Sequence, residues 1–470
     1  MAEKTYELVV VGAGPGGYVA AIRAAQHLKT PSSVACIERD RLGGTCLNWG
    51  CIPTKALIRS AELMRDIQHA EQFGITVGSV SFDPSKIVDR SRGIADTFNR
   101  NIGALFRKNK IDAVMGQAQV TEPGRIRVTR SDGSSEQIGY KRLVIAAGCK
   151  PRELGFARFN GTTIISSKEA LQLRTPPGRM VIIGAGAIGI EFAYYYSAFG
   201  TEVTVIEMQE SILPIEDHEV SAELKTCFEG YGVKCLTSTM TKAVEPQPGG
   251  GVKVTYETAD KKAGEIVADV CLVAVGVVAD VDGLFTGTAK PVIEKAHIKV
   301  DKQFRTTMDG VWAIGDCIGP PWLAHVASHE AVNCIEQMFD LTDEPLDYST
   351  IPGCTYCEPQ VASIGLTERK AREQGIKFRV AKIPFKHNGK SQASGHTVGF
   401  MKLLFGEPYG ELVGAHIIGH NASELIAELG LARQMEATYE TIRDTIHAHP
   451  TMAEMAMEAA QLPGGWVIHG

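Results

Sequence analysis

The sequence predicts an α/β fold divided into several domains. Apolar, strand-like runs alternate with helical stretches along most of the 470 residues, which is typical of α/β proteins. The glycine-rich segment VVVGAGPGG at 9–17 recurs as VIIGAGAIG at 181–189, so one nucleotide-binding unit occurs twice. A chain of this length also exceeds what one hydrophobic core supports. We therefore predict two Rossmann-like dinucleotide-binding domains followed by a C-terminal α+β domain.

The domain boundaries are predicted from where the apolar strands end. The first domain extends just past the strand LVIAAG at 143–148, and the second ends with the strand CLVAVG at 271–276. A central piece contains the strand and turn VWAIGD at 311–316, and the last domain begins near Ile351-Pro352. The predicted ranges are 1–150, 151–276, 277–348 and 349–470.

Composition and charge exclude several classes of partner. The chain is 44% hydrophobic and 22% charged, and its net charge of −6 is too mild to indicate nucleic acid or an anionic membrane surface. No apolar run approaches the roughly 20 residues of a membrane helix. The eleven cysteines are scattered and odd in number, unlike a secreted disulfide framework. We expect the reducing cytoplasm, with the mitochondrial matrix after transit-peptide removal as the alternative.

Gly12, Gly14 and Gly17 form the first fingerprint, between an apolar strand and a helical run. The first glycine permits a tight turn, the second lets a pyrophosphate approach the backbone, and the third lets the helix pack on the strand. The phosphate would lie at the helix N-terminus, where free N–H groups favour an anion. Glu38 ends the next strand, where its carboxylate can accept hydrogen bonds from ribose hydroxyls. The alternative is a glycine-rich turn that binds nothing.

Gly184, Gly186 and Gly189 repeat the pattern after a second strand, and the strand that follows ends at Glu207. An acid at this position can bind the adenosine ribose of NAD and would repel the additional phosphate of NADP, which favours an arginine. A second independent match is hard to obtain by chance. The second fingerprint therefore predicts an NAD site.

The segment GGTCLNWGCIPTK at 43–55 places Cys46 and Cys51 next to the first fingerprint. Two cysteines this close can open and close as a disulfide beside a bound cofactor, and Lys55 would supply positive charge to a thiolate. The alternatives are two buried free thiols and a solvated lysine. The Cys-x4-Cys spacing is uncommon for zinc and no matching pair lies nearby, so no metal site is predicted.

A second close pair, Cys354 and Cys357, has the Cys-x-x-Cys spacing of thioredoxin-type motifs. We expect both residues in one strand, where alternation would turn their side chains to opposite faces. This pair is therefore predicted to have no redox role.

Together these motifs give the chain a resemblance to a known family over nearly its whole length. The segments that carry it are VVVGAGPGGYVAAIRAAQ, GGTCLNWGCIPTKAL, GAGAIGIEF, VWAIGD, GLTE at 365–368 and HAHPTMAE at 447–454. In these the chain resembles the flavin disulfide reductases (class I pyridine nucleotide-disulfide oxidoreductases), and among them the dihydrolipoamide dehydrogenases. The resemblance implies FAD and NAD as cofactors, and oxidation of protein-bound dihydrolipoamide to lipoamide through a redox-active disulfide.

The resemblance also implies partners. The C-terminal domain would form the interface of a homodimer. The substrate would be presented by a lipoylated carrier domain or acyltransferase of a 2-oxoacid dehydrogenase or glycine cleavage complex. No nucleic acid or membrane partner is implied.

The resemblance assigns roles around the flavin. Cys46 would exchange with the substrate dithiol and Cys51 would contact the flavin, while Lys55 would lie near the flavin N5, paired with Glu191. Asp316 would bind the ribityl chain, although an Asp after a strand could also simply cap a helix. The residues implied for FAD are Gly12, Gly14, Gly17, Glu38, Thr45, Lys55, Ala118, Gly148, Asp316, Leu323 and Ala324. Those implied for NAD are Gly184, Gly186, Ile188, Gly189, Glu191, Glu207 and Gly276.

For proton transfer, the resemblance implies His449 as the acid–base catalyst, contributed by the partner subunit, with Glu454 orienting it. A histidine titrates near neutral pH, which suits removal of a thiol proton. His447 is a competitor, although Pro450 and Thr451 align His449 with the motif. Thr451-x-x-Glu454 is also a capping box, so Glu454 could instead close the start of a helix.

The chain departs from the family pattern at three places, two of which are the strand end Ala146-Ala147-Gly148 in place of the family's ATG and a few extra residues at about 30–33. The family's AVGRxPN reads AVGVVAD here, with Val277 and Asp280 in place of the arginine and the asparagine. This change could alter the nicotinamide side of the site. It removes no redox or proton-transfer group.

Four other functions compete with this interpretation. Glutathione-type reductases share the scaffold but carry arginines for NADP where Glu207 stands. Mercuric reductases carry a C-terminal cysteine pair, which QLPGGWVIHG at 461–470 lacks. Soluble transhydrogenases lack the full cysteine pair found here. A non-catalytic flavin-binding or assembly protein would be expected to lose the cysteines, the lysine or the histidine, and all of them are present.

Overall fold

The computed structural model describes residues 4–286, 290–466 and 468, and confirms the predicted α/β class. The described strands, in chain order, are β1 (Lys4–Val11), β2 (Val34–Glu38), β3 (Asp112–Met115), β4 (Gln117–Glu122), β5 (Arg125–Thr129), β6 (Ser135–Ile145), β7 (Cys149–Pro151), β8 (Ile164–Ile165), β9 (Arg179–Ile183), β10 (Glu202–Ile206), β11 (Lys234–Leu236), β12 (Thr239–Pro246), β13 (Val252–Thr258), β14 (Ala263–Ala268), β15 (Val270–Val273), β16 (Val277–Ala279), β17 (Ile293–Glu294), β18 (His297–Ile298), β19 (Val311–Ala313), β20 (Gly353–Thr355), β21 (Gln360–Gly365), β22 (Phe378–Pro384), β23 (Phe400–Gly406) and β24 (Leu412–Gly419).

The α-helices are interspersed with these strands. The described helices are α1 (Pro15–Leu28), α2 (Gly44–Trp49), α3 (Cys51–Gln68), α4 (Pro84–Lys108), α5 (Ser167–Ala170), α6 (Ala187–Ala198), α7 (His218–Gly230), α8 (Ala324–Met338), α9 (Glu368–Glu373), α10 (Gly389–Ser394), α11 (Ala422–Gln434), α12 (Tyr439–Asp444) and α13 (Glu454–Gln461). Within the described part of the chain, none of them combines the length and the apolar character needed to cross a bilayer.

The chain divides into two compact units, each assembled from separate stretches of sequence. The first comprises Met1–Ala56, Ser85–Arg152 and Gly276–Asp347. The second comprises Leu57–Pro84, Glu153–Val275 and Tyr348–Gly470. The four ranges expected from the sequence stay a prediction.

The first unit is organised around a seven-stranded sheet in the order β3-β2-β1-β6-β5-β4, with β19 also paired to β6. Strand β1 is central, because Val9 pairs in parallel with Ala35 of β2 and with Leu143 of β6. Its last four residues are all buried, as expected for a parallel strand covered on both faces. The carboxyl end of β1 leads directly into the first fingerprint.

The second unit holds a parallel sheet, β11-β10-β9-β15-β8, in which β9 occupies the central position that β1 has in the first unit. It also contains the three-stranded antiparallel sheet β12-β13-β14 and the five-stranded antiparallel sheet β20-β21-β24-β23-β22. Helices α11 and α13 pack on the latter around a core that includes Phe405, Ile417 and Met455. This last sheet and its helices form the C-terminal α+β layer.

The predicted placement of Cys354 and Cys357 in one strand is wrong. Cys354 lies in β20, but Cys357 lies in the turn that connects β20 to its antiparallel neighbour β21. The Cys357 thiol is fully buried and donates a hydrogen bond to the carbonyl oxygen of Pro359 at 3.2 Å. The chain must reverse here, so the strand ends before Cys357.

Candidate active site

The first fingerprint is a turn that only glycines can form. Gly12 has φ +97°, and a Cβ there would lie 2.2 Å from the carbonyl oxygen of Ala146. A Cβ on Gly17 would lie 1.8 Å from the carbonyl oxygen of Gly12. Both distances are far below any real contact. A side chain on Gly12 would push the turn away from the end of β6, and one on Gly17 would push α1 away from the turn after β1.

The acid at the end of β2 is fixed against this turn. Glu38 is buried, and its Oε2 accepts a hydrogen bond from the backbone N–H of Ala13 at 2.8 Å while Oε1 accepts one from Asp40 at 2.9 Å. Burial raises the pKa of Glu38, and the hydrogen bonds from Asp40 and Ala13 oppose that shift. The carboxylate is thus held beside the fingerprint with lone pairs left over for ribose hydroxyls.

The start of α1 is suited to an anion. Gly14 is its N-cap, and no described side chain caps this helix end. The free N–H groups of the first turn and the helix dipole therefore remain available to a pyrophosphate.

The two cysteines meet where α2 is followed by α3. Cys46 lies within α2 and is half-buried, while Cys51 begins α3 and is exposed. The two sulfur atoms lie within hydrogen-bonding reach of each other. The hydrogen bond to Cys51 and burial raise the pKa of Cys46, and the charge of Lys55, one helical turn beyond Cys51, opposes the shift.

Two residues that the sequence analysis did not single out hold this segment in place. Gly44 has φ +58°, and a Cβ there would lie 2.6 Å from the Cα of Gly14. Asn48 is fully buried and donates hydrogen bonds from Nδ2 to the carbonyl oxygens of Leu42 and Gly44, both at 3.0 Å. The cysteine segment is therefore locked against the nucleotide turn. In the sequence, the adjacent Gly43 and Gly44 were the only indication that this segment packs against Gly14.

Asp316 lies inside the short 3-10 helix Gly315–Ile318, whose N-cap is Ile314, so it does not cap this helix itself. Its Oδ2 accepts a hydrogen bond from the thiol of Cys149 at 3.0 Å. Burial raises the pKa of Asp316, and the Cys149 hydrogen bond opposes that effect. The charge of Asp316 also contributes to the raised pKa of Cys46, so both belong to one neighbourhood.

The other residues expected at the flavin fall in the first unit. Thr45 is exposed in α2, Ala118 is buried in β4, and Gly148 has φ +71° with open space where a Cβ would point. Leu323 is the N-cap of α8 and Ala324 its first residue. Their assignment to FAD stays a prediction.

The second fingerprint repeats the first in the second unit. Gly184 has φ +100°, and its Cβ would lie 2.4 Å from the carbonyl oxygen of Ala274. A Cβ on Gly189 would lie 2.0 Å from the carbonyl oxygen of Gly184. Glu207 accepts hydrogen bonds at 2.8 Å from the backbone N–H groups of Ala185 and Gln209. The turn and its acid are thus built as in the first unit.

Around the start of α6 this fingerprint is open. No described atom lies within 4 Å of the place where a Cβ on Gly186 would stand, and Ile188 is exposed in the first turn. Glu191 is buried on the same helix and accepts a hydrogen bond from the backbone N–H of Tyr356 at 3.1 Å. Gly276, also expected at NAD, has φ +98° and belongs to the first unit. The pairing of Lys55 with Glu191 stays a prediction.

His449 and Glu454 form a pair at the start of α13, of which Glu454 is the first residue. His449 Nδ1 lies 2.9 Å from Glu454 Oε1, and Glu454 Oε2 accepts a hydrogen bond from the backbone N–H of Thr451 at 2.8 Å. Glu454 therefore fixes the orientation of the His449 ring. The capping box expected for Thr451-x-x-Glu454 is not formed, because α13 begins at Glu454 and its N-cap, Ala453, has no side-chain cap among the described residues. Burial acts to raise the pKa of Glu454, but the hydrogen bonds from Thr451 and His449 leave it lowered.

The competing histidine has a different environment. His447 Nε2 lies 2.6 Å from Glu428 Oε1, and its side chain is only 6% exposed. The His449 side chain is 79% exposed. Of the two, only His449 presents its ring to an incoming group.

Comparison with known proteins gives a consistent result. The family described as pyridine nucleotide-disulphide oxidoreductase matches residues 6–331, and the dimerisation domain of the same family matches residues 351–460. A dihydrolipoyl dehydrogenase of Rhizobium etli is 41% identical over 100% of both chains. One of Zymomonas mobilis is 42% identical over 99% of each chain.

Solved structures agree on the fold. LpdA from Mycobacterium tuberculosis has a TM-score of 0.89 at 25% identity, covering 98% of this chain and 99% of that one. The HOCl-induced flavoprotein disulfide reductase RclA from Escherichia coli, in its Cu(II) complex, has a TM-score of 0.86 at 24% identity, covering 98% and 100%.

Proposed function

The chain belongs to the pyridine nucleotide-disulphide oxidoreductases, and on that premise we propose that it oxidises carrier-bound dihydrolipoamide to lipoamide while reducing NAD to NADH. The family uses FAD and NAD(H). The observation that carries the proposal is the close pair of cysteine sulfurs, Cys46 and Cys51, locked against the first nucleotide turn with Lys55 one helical turn away.

The described residues fit FAD. The helix end at Gly14 has no side-chain cap among the described residues, and Glu38 is fixed beside it with lone pairs to spare. Asp316 is the candidate for binding the ribityl hydroxyls. Its carboxylate also accepts a hydrogen bond from the thiol of Cys149. When bound, FAD supplies the two-electron relay between the protein dithiol and NAD.

The cysteines perform the exchange with substrate. A thiolate of dihydrolipoamide attacks the sulfur of Cys46 in the oxidised pair, which breaks the disulfide and releases Cys51 as a thiolate. The second substrate thiolate then attacks the substrate sulfur of the mixed disulfide, which releases Cys46 and closes lipoamide as a cyclic disulfide. The substrate loses two electrons and two protons, and the cysteines gain the two electrons. Lys55 stabilises the resulting thiolate charge.

His449 of the partner subunit accepts a substrate thiol proton in this scheme. Because Glu454 holds Nδ1, that nitrogen carries the hydrogen and Nε2 is left as the acceptor. The match of residues 351–460 to a dimerisation domain supports the homodimer that this arrangement requires.

The coenzyme and the biological setting complete the proposal. Glu207 at the second fingerprint favours NAD over NADP. The lipoyl carrier would belong to a 2-oxoacid dehydrogenase or glycine cleavage complex, and the bacterial relatives support a cytoplasmic location.

The deciding experiment measures NADH formation by the purified, FAD-loaded protein given dihydrolipoamide and NAD, with NADP in a parallel reaction. We expect rapid turnover with NAD and little with NADP. If NADH reduces the flavin but dihydrolipoamide does not, the dithiol substrate is wrong. If NADP works as well as NAD, the role of Glu207 is wrong.

A further inference from the structure

Three side chains outside the redox site converge at one end of the C-terminal sheet. Glu358 stands just before β21 and His420 just after β24. These strands pair antiparallel with Gln360 opposite Gly419, which brings Glu358 and His420 side by side. His396 reaches the same place from the loop between α10 and β23. We call Glu358, His396 and His420 the His–Glu cluster.

Both histidines of the cluster turn the same nitrogen to one carboxylate. His420 Nδ1 lies 3.3 Å from Glu358 Oε2, and His396 Nδ1 lies 3.7 Å from Glu358 Oε1. The two imidazole rings stack in parallel, with centroids 3.6 Å apart and planes inclined by 4°. Because an imidazole nitrogen binds a metal in the plane of its ring, one of these partly exposed rings must turn out of the stack when both bind one ion. The three candidate ligand atoms all lie within 4.8 Å of one another.

The charges around the cluster favour a cation. Two charged imidazolium rings at this separation would repel each other, so the stacked pair is not suited to holding two protons. Glu62 and Asp66, one turn apart on α3, add negative charge close to His420.

We propose that Glu358, His396 and His420 bind one divalent transition-metal ion, with zinc as the best match. Imidazole nitrogens with a carboxylate oxygen suit Zn²⁺ better than Mg²⁺ or Ca²⁺, which favour all-oxygen sites. The 3.3 and 3.7 Å nitrogen–oxygen distances are close to the roughly 3.3 Å between two ligand atoms of a tetrahedral zinc ion.

The cluster also leaves access for the ion. The side chains of Glu358, His396 and His420 are 21%, 30% and 30% exposed, so water can reach the site and occupy a fourth coordination position. A bound ion would join three segments, namely the β20–β21 turn, the α10–β23 loop and the β24–α11 loop. Since it would bind only the folded chain, it would raise the melting temperature.

The test is equilibrium dialysis of the full-length, FAD-loaded protein against Zn²⁺, with bound metal measured by atomic emission. The protein is kept oxidised, because Cys46 and Cys51 then form a disulfide and cannot ligate zinc. We compare the wild type with Glu358→Gln, with His420→Asn and with the control His387→Asn, which changes an exposed histidine outside the cluster.

We expect one more zinc per chain in the wild type and the control than in the cluster variants, or at least tenfold tighter binding. Equal zinc binding by all four proteins would overturn the proposal. Zinc should likewise raise the melting temperature of the wild type and the control only, and an equal rise in the cluster variants would count against the site.

A variant that unfolds would also lose zinc, so the wild-type protein needs its own readout. X-ray absorption at the zinc edge should show nitrogen or oxygen ligands at about 2.0–2.1 Å and no sulfur shell at about 2.3 Å. A sulfur shell would assign the ion to cysteines and overturn the proposal.

Discussion

The two nucleotide fingerprints are built alike but differ in what surrounds the middle glycine. In both, the first glycine has φ close to +100°, and a Cβ on it would clash with a backbone carbonyl oxygen just after a neighbouring strand. In both, the acid accepts hydrogen bonds from two backbone N–H groups. Around Gly14, however, the cysteine segment packs tightly through Gly44, whereas the space around Gly186 is open.

This difference indicates what each turn is for. A nucleotide held permanently benefits from a chemical group locked against its binding turn, because the reacting atoms then keep their geometry. A nucleotide that must enter and leave in each turnover benefits from an open approach. Under the proposed function, the same backbone device would serve a resident FAD in the first unit and an exchanging NAD in the second. Four substitutions test this contrast and the roles assigned to the surrounding residues.

The largest effect is expected from Cys46→Ser, which removes the sulfur that the substrate attacks. Dihydrolipoamide turnover should be abolished, since serine cannot form or open the disulfide. The Gly14–Gly44 contact does not involve the thiol, so FAD should remain bound at wild-type stoichiometry. The flavin absorbance of the purified variant gives its FAD content. Stopped-flow mixing with dihydrolipoamide then gives the rate at which the flavin is reduced. Normal turnover in this variant would remove Cys46 from the mechanism.

His449→Gln should give the next largest effect. Loss of a positioned acid–base group costs roughly 10²–10⁴-fold in rate, so reduction by dihydrolipoamide should fall by that range. Reduction of the flavin by NADH needs no thiol proton and should be unchanged. The control is His447→Gln, whose buried ring pairs with Glu428 and should leave turnover near the wild-type value. A larger loss in the control would exchange the roles of the two histidines.

The same variants test the proposed dimer. Neither Cys46→Ser nor His449→Gln should turn over dihydrolipoamide appreciably alone. If each site combines cysteines of one subunit with the histidine of its partner, mixed dimers contain one intact site and recover part of the activity. Co-expression with two affinity tags isolates them. No recovery in purified mixed dimers would place all catalytic groups on a single chain.

Gly44→Ala should act mainly on stability and flavin retention. A left-handed backbone costs alanine roughly 1–2 kcal/mol, and overpacking against Gly14 adds roughly 1–3 kcal/mol. The matched control is Gly186→Ala, where φ is −73° and the space is open. We expect Gly186→Ala to remain stable but to raise KM for NAD. Denaturant unfolding, FAD content and KM separate the two effects, and equal destabilisation of both variants would remove the contrast between the fingerprints.

Features encoded in short stretches of sequence were accessible to prediction. Positive φ and close carbonyl contacts require glycine at positions 12 and 184. The turns are therefore recognisable in the sequence as glycine patterns next to apolar strands. Glu38 and Glu207 were predictable too, because one ends the next strand and the other immediately follows it. The cysteine segment is recognisable for the same reason, since all of its parts are contiguous.

Features that depend on distant residues meeting were not accessible. Cys149 lies far from Asp316 in sequence, and only the folded first unit brings its thiol to that carboxylate. The His–Glu cluster depends on the pairing of β21 with β24, which no local pattern reports, so the sequence predicted no metal site. Cys357 was wrongly placed in a strand, because the local sequence pattern does not show where the chain reverses and the strand ends. His447 and His449 differ in burial, which two adjacent motif positions cannot reveal.

The smallest effect is expected at Glu207, where Glu207→Gln keeps the size of the side chain but removes its charge. The neutral amide no longer repels the additional phosphate of NADP, so the ratio of kcat/KM for NAD to that for NADP should fall about tenfold, or about 1.4 kcal/mol. Glu38→Gln makes the same change in the first fingerprint and should leave this ratio unchanged while weakening FAD retention. Steady-state kinetics with both coenzymes, together with FAD content after dialysis, distinguish the two sites. A shift of the coenzyme ratio in Glu38→Gln, or none in Glu207→Gln, would mean that the two turns do not divide the nucleotides as their surroundings indicate.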